Sequence, residues 1–333
     1  NTFTRSSDNQ ATRHLAYKEE FQQVFDAVRL TMIERSVRSN QLRGEHLLGD
    51  RHSLNWSLTS SGVRRNEPDR TDVRYETYLE LDKVLSAQHP RSGQHDEMLF
   101  IIQHHVAELW IKLMLHELDA AIECIKTDQV GRTIKTFARI KQIQHQLTAQ
   151  WSVLATLTPS AYAAFRDVLG TASGFQSAQY RILEFKFGNK DRNMAPMFRH
   201  NLEYYRVLKA ALESPSIYDE FLRYLYRVGH RVPLERVERD WADRYEHHAG
   251  VVEVLEVIYK HPDEYWAAYE ICENLVDIEA NFQSWRFHHM KTVERIIGFK
   301  RGTGGTAGVA FLRKALDISF FPELIEVRTK IGA

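Results

Sequence analysis

Apolar residues recur every third or fourth position almost without interruption from Tyr75 to Ile297, and no stretch alternates convincingly with period two. That pattern constrains the fold more than any other feature. An amphipathic helix buries one stripe per 3.6 residues, whereas a half-buried strand needs apolar and polar side chains in turn. The expected fold class is therefore all-α, a helical bundle with nothing for a sheet to be built from. Helical patterns follow one another over 75–88, 95–125, 129–155, 159–169, 175–187, 197–213, 216–228, 233–260 and 263–297. Only eight prolines occur, and they punctuate these patterns. Thr158-Pro159 reads as an N-cap followed by proline at the first helical position. Upstream, Tyr17, Phe21, Val24, Phe25, Val28 and Met32 stand at helical spacing and predict an added N-terminal amphipathic helix. Residues 46–72 lose periodicity and read as a polar connector. The expected organisation is thus an extension over 1–72 and a helical domain over 73–333.

Charge and cysteine content narrow the function classes. Lys plus Arg and Asp plus Glu number 44 each, so no global field favours nucleic acid or an anionic membrane. The longest fully apolar runs are only a few residues, which predicts no membrane span. Two cysteines, Cys124 and Cys272, are too few for a disulfide framework, and neither sits in a CxxC. With no apolar signal region, a reducing cytoplasm is the expected location.

Two histidine doublets invite a facing argument, because residues three and four apart share one face of a helix. Around His289 that face holds Phe282, Trp285, Val293 and Ile296; around His288 it holds Ser284, Lys291, Thr292 and Arg295. His289 is expected inside and His288 outside. In "HDEMLFIIQHHVAELW", His104 shares its face with Phe100, Ala107, Glu108 and Ile111, and is the more buried of the pair His104/His105. Both inward histidines can be satisfied core residues. Two of them on separate long helices also suit a cofactor held in a bundle. No HExxH, Glu-x-x-His pair or zinc-like His/Cys spacing is present, and haem, which needs a single axial histidine, is the cofactor least contradicted by the ligand count.

Two further stretches carry polar chemistry. Tyr162 and Arg166 lie four apart, where a hydroxyl beside a guanidinium fork suits a carboxylate, or where the arginine simply stacks on the tyrosine. Gly302-Thr303-Gly304-Gly305-Thr306 follows a helix, not a strand, which argues against a dinucleotide fingerprint. It reads as a helix-breaking linker, or as a mobile lid closing over a small polar ligand through its amides and the Thr303 hydroxyl.

Taken together, "HDEMLFIIQHHVAELW", "LTAQWSVLATLTPSAYAAFRDVLG", "SGFQSAQYR", "LVDIEANFQSWRFHHMKTVERIIGFKRGTGGTAG" and "FFPELIEVRT" strongly resemble the bacterial tryptophan 2,3-dioxygenase family, in order, from about Tyr75 to the C-terminus. The resemblance implies a homotetrameric (dimer of dimers), helical b-type haem enzyme, active in the ferrous state. It would insert both atoms of O2 across the indole C2–C3 bond of L-tryptophan to give N-formylkynurenine. By motif position it implies that His289 is the haem ligand and His104 the catalytic histidine across the haem. Phe100 would pack on the indole, Tyr162 and Arg166 clamp the substrate carboxylate, and Thr303 meet its ammonium. Trp151, Ser173 and Gly174 would lie near the haem. Tyr75, Tyr78 and Leu79 match a segment that reaches into a neighbouring subunit's pocket.

The chain departs from the family pattern at two places. "HHVAELW" stands where the family commonly has "HQTSELW", so His105 and Ala107 replace polar residues, and His288 stands where an arginine is common. The first change leaves open a haem mono-oxygenase acting on a modified tryptophan. A non-catalytic haem or tryptophan sensor is the alternative from another class.

Overall fold

Helix follows helix from Tyr75 to Lys330, as the periodicity predicts. The structure, a computed structural model, describes residues 2–18, 23–48, 52–66, 75–305 and 307–332. Two compact units are formed, Asn1–Ala87 and Gln88–Ala333.

The first unit holds strands β1 (Thr2–Lys18), β2 (Gln23–Leu48) and β3 (His52–Asn66), then short helices α1 (Tyr75–Tyr78) and α2 (Leu81–Leu85). The strands form one antiparallel sheet in the order β1-β2-β3. This corrects two expectations. Tyr17 lies in β1, and Val24, Phe25, Val28 and Met32 lie in β2, so no amphipathic helix forms there; Phe21 falls outside the described residues. The predicted polar connector contains the whole of β3. The physical reason is that a spacing of four, as in Val24, Val28 and Met32, is an even number and fits a strand as well as a helix. Leu54-Asn55-Trp56-Ser57-Leu58-Thr59 is moreover a true period-two alternation. In register, Leu42 faces Leu58, Gly44 faces Trp56 and His46 faces Leu54. Trp56 stacks on His46 at 6.5 Å, and a Cβ on Gly44 would fall 2.3 Å from the indole. Further on, the pattern read as one helix over 75–88 is broken at Glu80, whose backbone is left-handed (φ 50°).

The second unit runs through α3 (Asp96–Lys126), α4 (Val130–Ala149), α5 (Trp151–Leu154), α6 (Pro159–Phe165), α7 (Ala178–Lys186), α8 (Leu202–Glu213) and α9 (Ile217–Arg227). It continues with α10 (Leu234–Val237), α11 (Ala249–Lys260), α12 (Trp266–Ile297), α13 (Val309–Leu316) and α14 (Pro322–Lys330). Its core is built where α3, α4 and α12 pack on one another. Each contributes a stripe at three- and four-residue spacing. Met114, Leu118, Ala121 and Ile125 come from α3, Phe137, Ile140, Ile143 and Leu147 from α4, and Ile271, Leu275, Ile278 and Phe282 from α12. Such wholly buried residues hold the bundle together; Leu118→Ala would destabilise it by about 2–5 kcal/mol.

Side-chain hydrogen bonds fix the ends of these helices. Thr158 accepts from the Ala161 amide at 3.1 Å with Pro159 in the first turn, as the sequence predicts. Buried Glu279 of α12 accepts from the amides of Phe320 (2.8 Å) and Phe321 (3.2 Å), which ties the start of α14 to the central helix. Lys190 donates to the carbonyls of Ala211, Leu212 and Ser214 at 2.6, 3.0 and 2.7 Å, closing the C-terminal end of α8. The pattern read as one helix over 233–260 is two, α10 and α11. Between them, Arg239 pairs with Asp219 at 2.8 Å and donates to the carbonyls of Asp240 (3.2 Å) and Asp243 (2.8 Å), satisfying backbone groups that a helix would have used.

Candidate active site

One face of α3 and one face of α12 converge on a cavity of ≈ 680 Å³, within the 300–1,000 Å³ or so that encloses small ligands. Phe100, His104, Ala107 and Glu108 line it from α3, and Trp285, Arg286, His289 and Val293 from α12. Trp151 of α5, Tyr162 of α6, the Ser173-Gly174 turn and Gly302-Thr303 complete the wall around them. The expected split of both doublets is what the structure has. His289 lines the cavity while His288 is exposed, its ring N–H donating to the Ser284 carbonyl at 2.8 Å. His104 lines the cavity, whereas His105 is turned toward Gln88, with 3.2 Å between Nδ1 and the amide nitrogen. Thr292, expected on the outer face with His288, is buried and lines the cavity.

The two inward imidazoles differ in state. His104 Nδ1 sits 2.7 Å from the Phe100 carbonyl one turn earlier. A carbonyl only accepts, so Nδ1 carries the proton and Nε2 presents a lone pair. Burial pushes the His104 pKa down, opposed by that hydrogen bond and by Glu108. His289 has no hydrogen-bond partner among the described residues. Its ring lies flat on Trp151, with centroids 4.7 Å apart and planes 8° apart, and Trp285 stands 5.6 Å away. Burial, with a smaller contribution from His104, pushes its pKa down to about 4. Both rings are therefore neutral at pH 7.

Around them Phe100 packs on His104 at 4.2 Å and on Tyr162 at 6.0 Å. Burial raises the Tyr162 pKa, against the nearby Arg166 guanidinium, so its hydroxyl stays a donor. Arg166 does not line the cavity; it follows α6 in a 3₁₀ turn and donates to the Arg301 carbonyl at 2.6 Å. The Thr303 hydroxyl donates to the Ala172 carbonyl. Gly304 passes so close to Ser173 that a Cβ there would meet its side chain at 2.6 Å. The glycine run is thus closed over the 172–174 turn through contacts that only a glycine at 304 permits. Ser173 accepts from the Phe175 amide, and its own amide meets Gln176, a capping box that fixes this turn. Tyr75, Tyr78 and Leu79 lie in the first unit, 73, 75 and 40% exposed.

Sequence reasoning missed a buried ionic group in the cavity wall. Arg181 and Glu184 pair at 2.5 Å, Glu184 and Arg286 at 3.2 Å, and Arg286 also donates to the carbonyls of Ala315 and Ile318. The spacing of Arg181 and Glu184 alone reads as a surface pair. Arg286, on the inward face of α12 between Phe282 and His289, was the available signal. Four buried nitrogens of the wall lack partners: Nε1 of Trp151 and Trp285, and Nε of Arg181 and Arg286. Each costs about 1–3 kcal/mol while unpaired, which suits a wall completed by a bound group. Among the described residues no three His, Cys, Asp or Glu side chains converge into a metal-ligand set.

Fold and site define a class: a mostly helical protein built around an interior aromatic cavity that presents two neutral imidazoles. The family model described as tryptophan 2,3-dioxygenase matches residues 59–215 and 230–331. A curated relative of that name from Serratia proteamaculans is 56% identical over 263 residues, covering 78% of this chain and 94% of its own. One from Kineococcus radiotolerans is 54% identical, covering 79% and 92%, and one from Myxococcus xanthus 56%, covering 77% and 89%. The chain belongs to the tryptophan 2,3-dioxygenase family.

Proposed function

We propose that this chain is a haem-dependent dioxygenase that inserts both atoms of O2 across the indole C2–C3 bond of L-tryptophan, giving N-formylkynurenine at the entry to tryptophan catabolism. The observation that carries the reading is the unlike state of two imidazoles in one aromatic cavity: His289 uncommitted at both nitrogens, His104 tied at Nδ1 and open at Nε2.

The cavity fits haem b. An uncommitted neutral imidazole stacked on Trp151 suits a ligand to iron. Unpaired Arg181 and Arg286 nitrogens in the wall suit a group that bears carboxylates. His289 would hold the iron, with Trp151, Ser173 and Gly174 beside the ring. Bound there, haem supplies a redox-active iron able to activate dioxygen.

The remaining work falls to the chain's own side chains. Phe100 packs on the indole, and Nε2 of His104 accepts the indole N–H, fixing which edge of the substrate faces the reacting centre. The Arg166 guanidinium, now donating to Arg301, and the Tyr162 hydroxyl take the substrate carboxylate. The Thr303 hydroxyl exchanges the Ala172 carbonyl for the vicinity of the ammonium. Closing the glycine run over these groups excludes water. Partners for carboxylate, ammonium and indole N–H, enclosed once the run has closed, reject analogues that lack any of them.

Tyr75, Tyr78 and Leu79, all exposed, would complete the pocket of a neighbouring subunit in a homotetramer arranged as a dimer of dimers. The free thiols of Cys124 and Cys272 support a reducing, cytoplasmic setting.

A second reading, haem mono-oxygenation of a modified tryptophan, rests on Ala107, which lines the cavity where the family commonly has a polar residue. One experiment separates the two. The haem-loaded protein is reduced anaerobically, given L-tryptophan and then ¹⁸O-labelled dioxygen. N-formylkynurenine with two labelled atoms supports the dioxygenase; a ring-intact product with one labelled atom sinks it. Tryptophan binding without turnover would mark a sensor.

A further inference from the structure

The charged side chains that line the cavity balance one another, with one left over. Arg181, Lys190 and Arg286 are cations and Glu108, Glu184 and Asp191 are carboxylates, so these six leave the wall without net charge. All six are committed. Glu184 lies between Arg181 and Arg286 and pairs with both. Lys190 spends its N–H bonds on the carbonyls of Ala211, Leu212 and Ser214. Glu108 accepts from the Gln179 side-chain amide at 2.7 Å, and Asp191 from the Asn193 backbone amide at 2.9 Å. The remaining cation is Arg244. It lines the same cavity, is exposed, and makes no hydrogen bond, ion pair or ring contact among the described residues.

The backbone that carries Arg244, in the break between α10 and α11, is nevertheless fixed on both sides. Arg239 donates to the carbonyl of Asp243, the residue before it, at 2.8 Å. The hydroxyl of Tyr245, the residue after it, donates to buried Glu323 at 2.7 Å. An anchored backbone with an uncommitted guanidinium presents a cation where the cavity reaches the surface. A haem carries two carboxylates. Inside a wall of zero net charge they exchange water for the unpaired N–H donors of Arg181 and Arg286 but meet no uncompensated positive charge. Arg244 supplies one, and the planar fork of arginine matches a carboxylate with two parallel bonds.

We propose that Arg244 anchors the haem, its guanidinium pairing with a haem carboxylate where the cavity reaches the surface. This rests on the haem reading of the preceding section and adds a binding residue to it. The substrate's carboxylate keeps its own partners, Tyr162 and Arg166, so the two kinds of carboxylate do not compete for one arginine.

The test measures release of haem from the loaded full chain into excess apomyoglobin, followed at the Soret band. Arg244→Gln is expected to raise the release rate about fivefold, the upper end of what an exposed ion pair contributes. Arg244→Lys, which keeps the charge and loses the fork, falls between it and the wild type. The dimethyl ester of iron protoporphyrin IX has no free carboxylate, so from it wild type and Arg244→Gln release alike. With free-acid haem the difference shrinks at about 1 M salt, where the screening length is about 3 Å. Equal release of free-acid haem by wild type and Arg244→Gln overturns the assignment. So does a difference that persists with the ester, which would make Arg244 a prop of the fold. A raised KM for L-tryptophan with unchanged haem release also overturns it, by placing Arg244 on the substrate. A wild type that takes up no haem overturns the haem reading itself and this anchor with it.

Discussion

α3 and α12 are a matched pair. Each is a long central helix, each carries two adjacent histidines, and in each the helical period sends one ring into the cavity and leaves its neighbour outside. Their difference lies in what holds the inward ring. On α3 a carbonyl one turn back, that of Phe100, fixes the proton on Nδ1 of His104 and leaves Nε2 as an acceptor. On α12 the carbonyl one turn back, that of Trp285, makes no bond to His289; Trp151 stacks flat on the ring and Trp285 packs against it at a tilt. Facing is therefore dictated by sequence spacing, whereas what each inward ring touches is set by its surroundings. In the proposed reading, one imidazole accepts a proton-bearing group and the other binds an electrophilic centre.

The contrast can be broken most strongly in the haem-free protein by acid. Burial holds the His289 pKa at about 4, against about 6.5 for a free histidine. Between those values the unfolded chain binds a proton that the folded chain does not. Stability is fully present above pH 6.5 and drains as pH falls toward 4, by a total on the order of 3 kcal/mol; lowered His104 adds in the same direction. Urea denaturation at several pH values should show this slope in the wild type and lose most of it in His289→Phe. An equal slope in both would remove burial of His289 as its cause.

Holding the substrate's polar end is the next largest effect. Arg166→Leu is expected to lower kcat/KM by roughly 30- to 100-fold, mostly through KM, since a hydrogen bond to a charged group contributes about 1.5–3 kcal/mol. An unchanged KM would mean that Arg166 serves only the Arg301 carbonyl. On the α3 side, His104→Ala should keep haem yet lose about tenfold in turnover of L-tryptophan, and lose much less with a substrate methylated at the indole nitrogen. Equal losses for the two substrates would deny His104 Nε2 its role. The smallest effect is expected at the outward ring. His105→Ala should change activity by less than about twofold and stability by about 0.5 kcal/mol or less.

The helical unit was largely legible because a helix advertises itself locally. Its apolar stripe, the Thr158-Pro159 cap and the facing of both doublets lie within a few turns of sequence. Failures came where distant partners decide. Arg239 breaks the pattern over 233–260 because Asp219, twenty positions earlier, holds its guanidinium. The sheet escaped because strand pairing is non-local and because the spacing of Val24, Val28 and Met32 satisfies both periods, although Leu54, Trp56 and Leu58 alternate plainly. The buried ionic group of the cavity was hidden for the same reason: Glu184 meets Arg286 across 102 residues.

The most direct measurement compares the two neighbours on α12. His289→Ala and His288→Ala are each purified, supplied with haem and assayed for bound haem by Soret absorbance per mole of chain. Haem occupancy should fall more than about tenfold in His289→Ala and stay near that of the wild type in His288→Ala. Equal loss in both, or full occupancy in His289→Ala, would contradict the assignment of the inward ring as the haem ligand.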